Sequence, residues 1–540
     1  MVAAVIASWV AVALVVIIAW PRLVAERSAR MIALVLISGL SLVHQLMFDM
    51  LAEDAFITFR YAENVAEGHG PVFNIGEPVE GYTNFLLLGL LSVLKAGFGA
   101  DVVLSARVLG VLSTIGCVVA AYFLARKLSG RSAAGVLAAA LTATVSNLAA
   151  YGASGLETSL FALLVLGMLL AACYEHWVIG GLLLAMAVLT RPDGVVVGAV
   201  LLGWLIVRVL RQRANWWQVT AFVLASLVVL MPWTAWRALY YGHFLPNPLV
   251  AKQGGEFSWQ LGQGWEYLGG YLLAVPALLL LALAGMVLVV LRRAVDTETL
   301  RAQYWLVVTL CVVFAGFVVL VGGDWMPAWR LLAPLGPVLA AGAASGLILL
   351  SKVDTPAPAN RVAPALVIVA CAFSLVASIW QNGMLSAVRE WRAQVDQLGE
   401  IGSWLGEELP RGTVISTYAN GALSYRAGNG LPVVDQLGLT DEYLAREVEP
   451  EQTGGRGSLA FDFEYIVDTR RPSVVIPTQS GYDTRKNCSI ATEFRGDYIP
   501  KAFRVADSDD WVTVYLRGTE ASQLTGQLAA SDKFTPARCP

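Results

Sequence analysis

The chain has 540 residues, of which 57% are hydrophobic and 14% charged, with a mean hydropathy of +0.64. Soluble domains carry roughly 25% charged residues, so a single soluble globular domain is excluded, as are collagen-like, disordered and small disulfide-stapled chains. What remains is a polytopic membrane protein, and a formal net charge of −3 argues against nucleic acid as a partner.

Apolar runs recur from Met1 to about Trp380. Beyond Gln381 no run reaches the roughly 18 residues that a helix needs to cross about 30 Å of hydrocarbon. The sequence therefore reads as a membrane domain over 1–380 followed by a C-terminal domain over 381–540. Candidate spans are 2–20, 31–50, 104–125, 133–150, 158–174, 177–191, 194–210, 218–235, 269–291, 303–322, 332–350 and 362–380, about 12 transmembrane helices. Lys and Arg assign their sides. The clusters Arg22/Arg27/Arg30, Arg126/Lys127/Arg131, Arg208/Arg211/Arg213, Arg292/Arg293/Arg301 and Lys352/Arg361 all fall on the cytoplasmic face on one condition. Tyr82–Phe98, apolar enough to pass for a span, must lie on the outer surface instead. Residues 51–103 then form a large structured outer loop, and 381–540 also lies outside.

In the C-terminal part, strand-like runs at Thr413–Thr417, Leu431–Val434, Ser473–Ile476 and Trp511–Leu516 alternate with helical stretches such as Met384–Glu408, which predicts a small α/β domain. Cys117, Cys173, Cys311 and Cys371 sit in apolar spans and read as small hydrophobes. Cys488 and Cys539 are the pair in the outer domain, where an oxidising compartment would let them bridge.

In so apolar a chain the informative residues are outer polar groups that topology does not require. Asp49, Glu53 and Asp54 follow the second span, at a helix end where the macrodipole disfavours negative charge and where like charges raise one another's pKa. A general base, or a pair gripping a cation, is a reason to accept that cost, and a solvated helix end is the plainer alternative. The same loop presents Arg60-Tyr61, Gly68-His69-Gly70, Phe73-Asn74 and Glu80-Gly81-Tyr82-Thr83-Asn84. Its aromatic faces and interleaved donors suit a sugar ring, while turn chemistry explains the glycines equally well. Ser154-Gly155-Leu156-Glu157-Thr158 is either part of a site or the start of a helix. Arg191-Pro192-Asp193-Gly194 is either a neutralising pair or an arginine facing an anion. Arg237, Tyr240-Tyr241-Gly242, Leu245-Pro246-Asn247 and Lys252 form one outer loop; Gly322-Gly323-Asp324-Trp325-Met326 and Arg330 form another. Their cations run against the positive-inside trend, and an anion such as a lipid phosphate accounts for them. No Walker or dinucleotide glycine loop is present. His44, His69, His176 and His243 are scattered, without metal-ligand spacing, and a divalent ion on Asp or Glu stays an open alternative.

Taken in order, several blocks resemble the polyprenyl-phosphate-dependent membrane glycosyltransferases of the GT-C fold, and among them the arabinofuranosyltransferases that add terminal arabinose to bacterial cell-envelope glycans. The blocks are Glu53-Asp54-Ala55-Phe56-Ile57, Arg60-Tyr61-Ala62, Gly68-His69-Gly70, Val79 to Asn84, Ser154 to Thr158, Arg191 to Gly194, Tyr240 to Asn247 with Ala251-Lys252, Gly323 to Met326, and Val434 to Asp441. The first member of the family's acidic pair, often aspartate, is Glu53 here, and Pro248 stands where relatives often carry Thr.

The resemblance implies a GT-C membrane domain with surface-lying helices in the first outer loop, plus an extracytoplasmic α/β domain for acceptor positioning or glycan binding. It also implies transfer of a sugar, arabinofuranose foremost, from a polyprenyl-phosphate donor to a hydroxyl of a cell-envelope glycan at the outer face of the bacterial cytoplasmic membrane. In that reaction Asp54 is the catalytic base and Glu53 shapes its pKa. Arg191, Arg237, Lys252 and Arg330 meet the donor phosphate. Arg60, Tyr61, His69, Glu80, Tyr82, Asn84, Glu157, Tyr241, Asn247 and Asp324 contact sugar or acceptor, and Asp435 and Asp441 read as helix caps. No cofactor is implied. The alternatives are another sugar or a protein acceptor, a non-enzymatic relative of the same fold in motor control, and a transporter or flippase. A transporter would place charges mid-span and often show repeated halves, and this sequence does neither.

Overall fold

Long apolar stretches close their backbone hydrogen bonds internally, which in a bilayer means helices. The structure, a computed structural model, describes residues 1–251, 256–287, 289, 298–350, 361–380, 384–448, 461–478, 481–489 and 496–539. Lys252, Arg292, Arg293 and Lys352 lie outside these described residues.

Among the described residues, five helices are long and apolar enough to cross a membrane: Arg27–Phe48, Val102–Ser129, Trp216–Tyr241, Glu298–Leu320 and Val362–Trp380. Phe257–Ala274 and Pro276–Met286 qualify together but bend by 87° where they meet. Proline at the first position of the second segment fits there because it has no N–H to lose. The span expected at 269–291 therefore starts earlier, at Phe257, and turns at Val275. Shorter apolar helices are Val2–Ile18, Phe85–Phe98, Ser132–Ala143, Thr158–Cys173, Trp177–Thr190, Gly194–Leu210 and Leu335–Leu350. The expected 133–150 span is two pieces, Ser132–Ala143 and Ser146–Ala150, separated at Thr144 and Val145. The protein is a multi-pass membrane protein.

The chain folds as two compact units, one of residues 1–50, 106–234 and 257–389, the other of 51–105, 235–256 and 390–540. By packing, residues 51–105 thus go with the C-terminal residues.

The first unit is a helical assembly with small residues at its crossings, the usual device where lipid supplies no hydrophobic drive between helices. A Cβ on Gly346 would meet the Gly285 backbone at 2.3 Å, and one on Gly110 would meet the Gly152 carbonyl oxygen at 2.2 Å. Buried polar groups stitch the helices together. His44 Nδ1 lies 3.1 Å from the Ala143 carbonyl and its Nε2 lies 3.1 Å from Ser378 Oγ, which in turn donates to Ser146 Oγ at 2.7 Å.

Among the described residues, the second unit is built on a six-stranded mixed sheet of order β2-β1-β3-β5-β4-β6. The strands are β1 (Ile415–Thr417), β2 (Val433–Asp435), β3 (Val474–Ile476), β4 (Tyr498–Val505), β5 (Trp511–Arg517) and β6 (Phe534–Ala537). β1 pairs in parallel with both β2 and β3, and the remaining pairings are antiparallel. Four strands lie where alternation predicted them; β4 and β6 carry prolines, which demote a run read from sequence. Neither proline breaks the ladder. Pro500 precedes the β4–β6 register, which begins at Ala502, and Pro536 lies on the edge strand. The helix Met384–Glu408 lays Trp404 on Phe534, with ring centroids 4.4 Å apart. Cys488 and Cys539 are disulfide-bonded, with Cα atoms 5.5 Å apart. Two helices of the loop, Ala55–Ala66 and Phe85–Phe98, pack on each other. The second buries Leu87, Leu88 and Leu91 and leaves Leu90, Val93 and Phe98 exposed.

Candidate active site

The carboxylates after the second span divide between two helix ends. Asp49 closes the Arg27–Phe48 helix in a left-handed conformation, φ 44°, and pairs with Arg107. Asp54 occupies the N-cap of Ala55–Ala66, the end at which a macrodipole favours negative charge. The dipole penalty expected for Glu53 and Asp54 therefore falls on Asp49 alone.

What makes Glu53 unusual is burial and company. Burial first, and then the neighbouring Asp54 charge, hold its carboxyl well above the usual carboxylate range. Its Oε1 accepts the backbone N–H groups of Gly421 and Ala422, the latter at 3.2 Å, which opposes the shift without cancelling it. Gly421 has no room for a side chain: a Cβ there would sit 2.0 Å from the Glu53 carbonyl oxygen. A third carboxylate, Asp435 at the end of β2, adds its charge to Glu53. It accepts N–H groups from Leu437 at 2.9 Å and Thr440 at 2.8 Å, and burial pushes it up to about 6. Asp435 organises a turn here, whereas Asp441 is a helix cap, accepting the Leu444 N–H at 3.2 Å. Among the described residues, no three His, Cys, Asp or Glu side chains are arranged to hold a metal ion.

Several residues read as sugar contacts are turned inward. Arg60 is buried. Its guanidinium donates to the carbonyls of Phe73 at 3.0 Å, Leu431 at 3.1 Å and Ser424. Tyr61 Oη donates to the Val79 carbonyl at 2.6 Å and accepts the Gly81 N–H at 2.9 Å. Asn84 exchanges hydrogen bonds with Thr58 Oγ1 at 3.0 and 3.1 Å. Tyr82 and Tyr241 meet hydroxyl to hydroxyl at 3.0 Å. His69 is 3.8 Å from Glu67 at the surface.

A second polar cluster of the same unit gathers around Glu80. Its carboxylate is buried and 3.6 Å from Arg237. Burial raises its pKa to about 7 against the opposing pull of Arg237 and Arg446. Asn247 joins in through its backbone N–H, 3.0 Å from the Glu80 carbonyl, and through Nδ2, 3.2 Å from the Asp441 carbonyl. Arg446 donates to Asn247 Oδ1 at 3.1 Å. Neither Arg446 nor Gly421 was singled out from sequence. Arg446 is one of many cations in the C-terminal residues, and the close approach at Gly421 exists only after folding.

The first unit carries its own charged groups. Arg191 Nη2 is 2.9 Å from Asp193 and its Nη1 is 3.5 Å from Glu157. Burial works against the Arg191 charge, but Asp193 holds its pKa above the usual arginine value, with Arg330 opposing. Arg330 Nε donates to Asp324 at 2.6 Å. That loop is contorted: Gly322, Gly323, Ala328 and Trp329 all have positive φ, and only the glycines adopt it without strain. Lys252, the remaining expected phosphate ligand, lies outside the described residues.

Three comparisons bear on this arrangement. The terminal β-(1→2)-arabinofuranosyltransferase of Mycobacterium tuberculosis is 29% identical over 331 residues, covering 54% of this chain and 51% of that protein. Its namesake in Corynebacterium glutamicum is 27% identical over 332 residues, covering 54% of this chain and 47% of that protein. The chain thus spans about half the length of the curated relatives it matches. Residues 386–515 match a domain of unknown function (DUF8728). In fold, the chain is similar to ArnT from Cupriavidus metallidurans crystallised with undecaprenyl phosphate: TM-score 0.56 at 13% identity, over 91% of this chain and 98% of that one. The fold is of the GT-C type, and the sequence similarity is to terminal arabinofuranosyltransferases.

Proposed function

We propose that this chain is a membrane glycosyltransferase that moves a sugar from a polyprenyl-phosphate donor to an acceptor hydroxyl of a cell-envelope glycan, at the outer face of the cytoplasmic membrane. The observation that carries the reading is the Glu53–Asp54 pair, with Glu53 pinned by two main-chain N–H groups and held toward its protonated form. Arabinofuranose is supported by the names of the two relatives, and the polyprenyl donor by the lipid phosphate bound to ArnT.

In this reading the acceptor oxygen attacks the anomeric carbon, its proton passes to Asp54, and the bond to the phosphate oxygen breaks. The polyprenyl phosphate leaves with increased negative charge, which a cation must offset. Arg237 is our first choice for that cation, because Glu80 beside it takes up a proton near neutral pH and then no longer neutralises it. Arg191, Arg330 and Lys252 are further proposed phosphate ligands. The five long helices, the bent pair and six of the shorter helices, leaving out Phe85–Phe98, would supply about 12 crossings.

The test is to incubate the purified full-length protein with polyprenyl-phosphoryl arabinofuranose and a panel of glycan acceptors. A new terminal pentose on one acceptor is expected. No transfer from this donor by folded protein would overturn the arabinofuranose assignment, and none from a series of polyprenyl-phosphoryl sugars would overturn the reading itself.

A further inference from the structure

The second unit contains a cavity of about 520 Å³, within the range of about 300–1,000 Å³ usual for small-ligand sites. Glu77 and Pro78 line it together with Asp441, Tyr443, Tyr465 and Arg470. Tyr443 and Tyr465 stack with centroids 4.1 Å apart at 24°, and Tyr443 is 39% exposed. The polar wall is fixed in place: Arg470 is 2.9 Å from Asp441 and 3.0 Å from Glu77.

We infer that this cavity is an acceptor-glycan subsite, holding a neutral saccharide two or more residues long. The inference rests on the reading of the chain as a glycosyltransferase. Charge selects the ligand class. Glu77, Asp441, Glu442 and Glu447 outnumber Arg470, so a lipid phosphate or any other anion is repelled. Sugar hydroxyls, which both donate and accept, match carboxylate oxygens interleaved with guanidinium N–H groups, and an exposed tyrosine face suits the apolar side of a ring. The cavity is also tied to the Glu80–Arg237 cluster. Asn247 bonds to the carbonyls of both Glu80 and Asp441, and Glu80 lies three residues beyond Glu77. Because Tyr443, Tyr465 and Arg470 all fall within residues 386–515, this gives the matched domain a role in substrate recognition.

The experiment uses the full-length protein and a synthetic arabinofuranosyl tetrasaccharide as probe. In an Asp54→Asn background, calorimetric titration and saturation-transfer NMR are expected to show binding. Tyr443→Ala should weaken it at least tenfold, Glu447→Gln severalfold, and Tyr443→Phe should restore it. In the active protein, Tyr443→Ala should raise the acceptor KM at least tenfold and leave kcat and donor KM within twofold. Unchanged binding and KM in both Tyr443→Ala and Glu447→Gln, or a fall in kcat at constant KM, would overturn the inference. Retained transfer by Asp54→Asn would instead overturn the catalytic assignment and leave the binding result standing.

Discussion

Like charges on two adjacent carboxyl groups disfavour each other's ionisation. Glu53 is held toward its neutral form by burial and by the neighbouring Asp54 charge. The acceptor role of Glu53 Oε1 needs an oxygen at that position but no charge. Glu53→Gln is therefore expected to keep transfer within about tenfold of wild type at pH 7, because the amide oxygen can still accept from Gly421 and Ala422. A loss in Glu53→Gln as deep as in Asp54→Asn, measured as kcat/KM, would show that the Glu53 charge itself is needed. Gly421→Ala forces a methyl group against the Glu53 backbone. It is expected to destabilise the protein by about 1–3 kcal/mol, the range for overpacking, read as a lowered unfolding midpoint.

At the scale of elements, the Ala55–Ala66 helix is held by the C-terminal residues through Arg60, a buried cation whose donors all end on main-chain carbonyls. Burial lowers its pKa to about 10, and no acidic hydrogen-bond partner is among these contacts. Lysine carries the charge but not the planar fork. Arg60→Lys leaves carbonyls unsatisfied at about 1–3 kcal/mol each, so its unfolding midpoint is expected to fall clearly below wild type. An unchanged midpoint would show that water replaces the guanidinium. The position also marks what sequence can convey. An arginine in a loop rich in aromatics reads as a ligand contact, because its partners, Ser424 and Leu431, lie more than 360 residues away. Asp441 was legible as a helix cap because its helix follows it directly. Strands β1, β2, β3 and β5 were legible from alternation, while Pro500 and Pro536 hid β4 and β6.

At the scale of the molecule, apolar run length marked out the helices, because the bilayer fixes both their length and their composition. Where residues 51–103 pack was not legible. Composition places residues 51–103 beside the spans that flank them, but their contacts lie with 390–540. Burying carboxylates in that unit has a consequence for stability. Glu80 is raised from 4.5 to about 7 and Asp435 from 3.8 to about 6. Each native carboxyl keeps its proton where the unfolded chain has lost it. That stabilisation is complete below the unfolded pKa and is lost as pH rises through the folded one. The unfolding midpoint is therefore expected to fall between about pH 5 and 7.5. Glu80→Gln should remove about one proton, or up to about 1.4 kcal/mol per pH unit, from that slope. A midpoint that rises over this interval would contradict the burial of these groups.

The most direct measurement is sugar transfer by Asp54→Asn, compared with wild type in purified, folded protein supplied with polyprenyl-phosphoryl arabinofuranose and a glycan acceptor. The substitution removes the proposed base and keeps the shape of the side chain. Losing a general base costs about 10²–10⁴-fold, so kcat is expected to fall by at least a hundredfold with the unfolding midpoint unchanged. Transfer at the wild-type rate would contradict the assignment of Asp54 as the residue that takes the acceptor's proton.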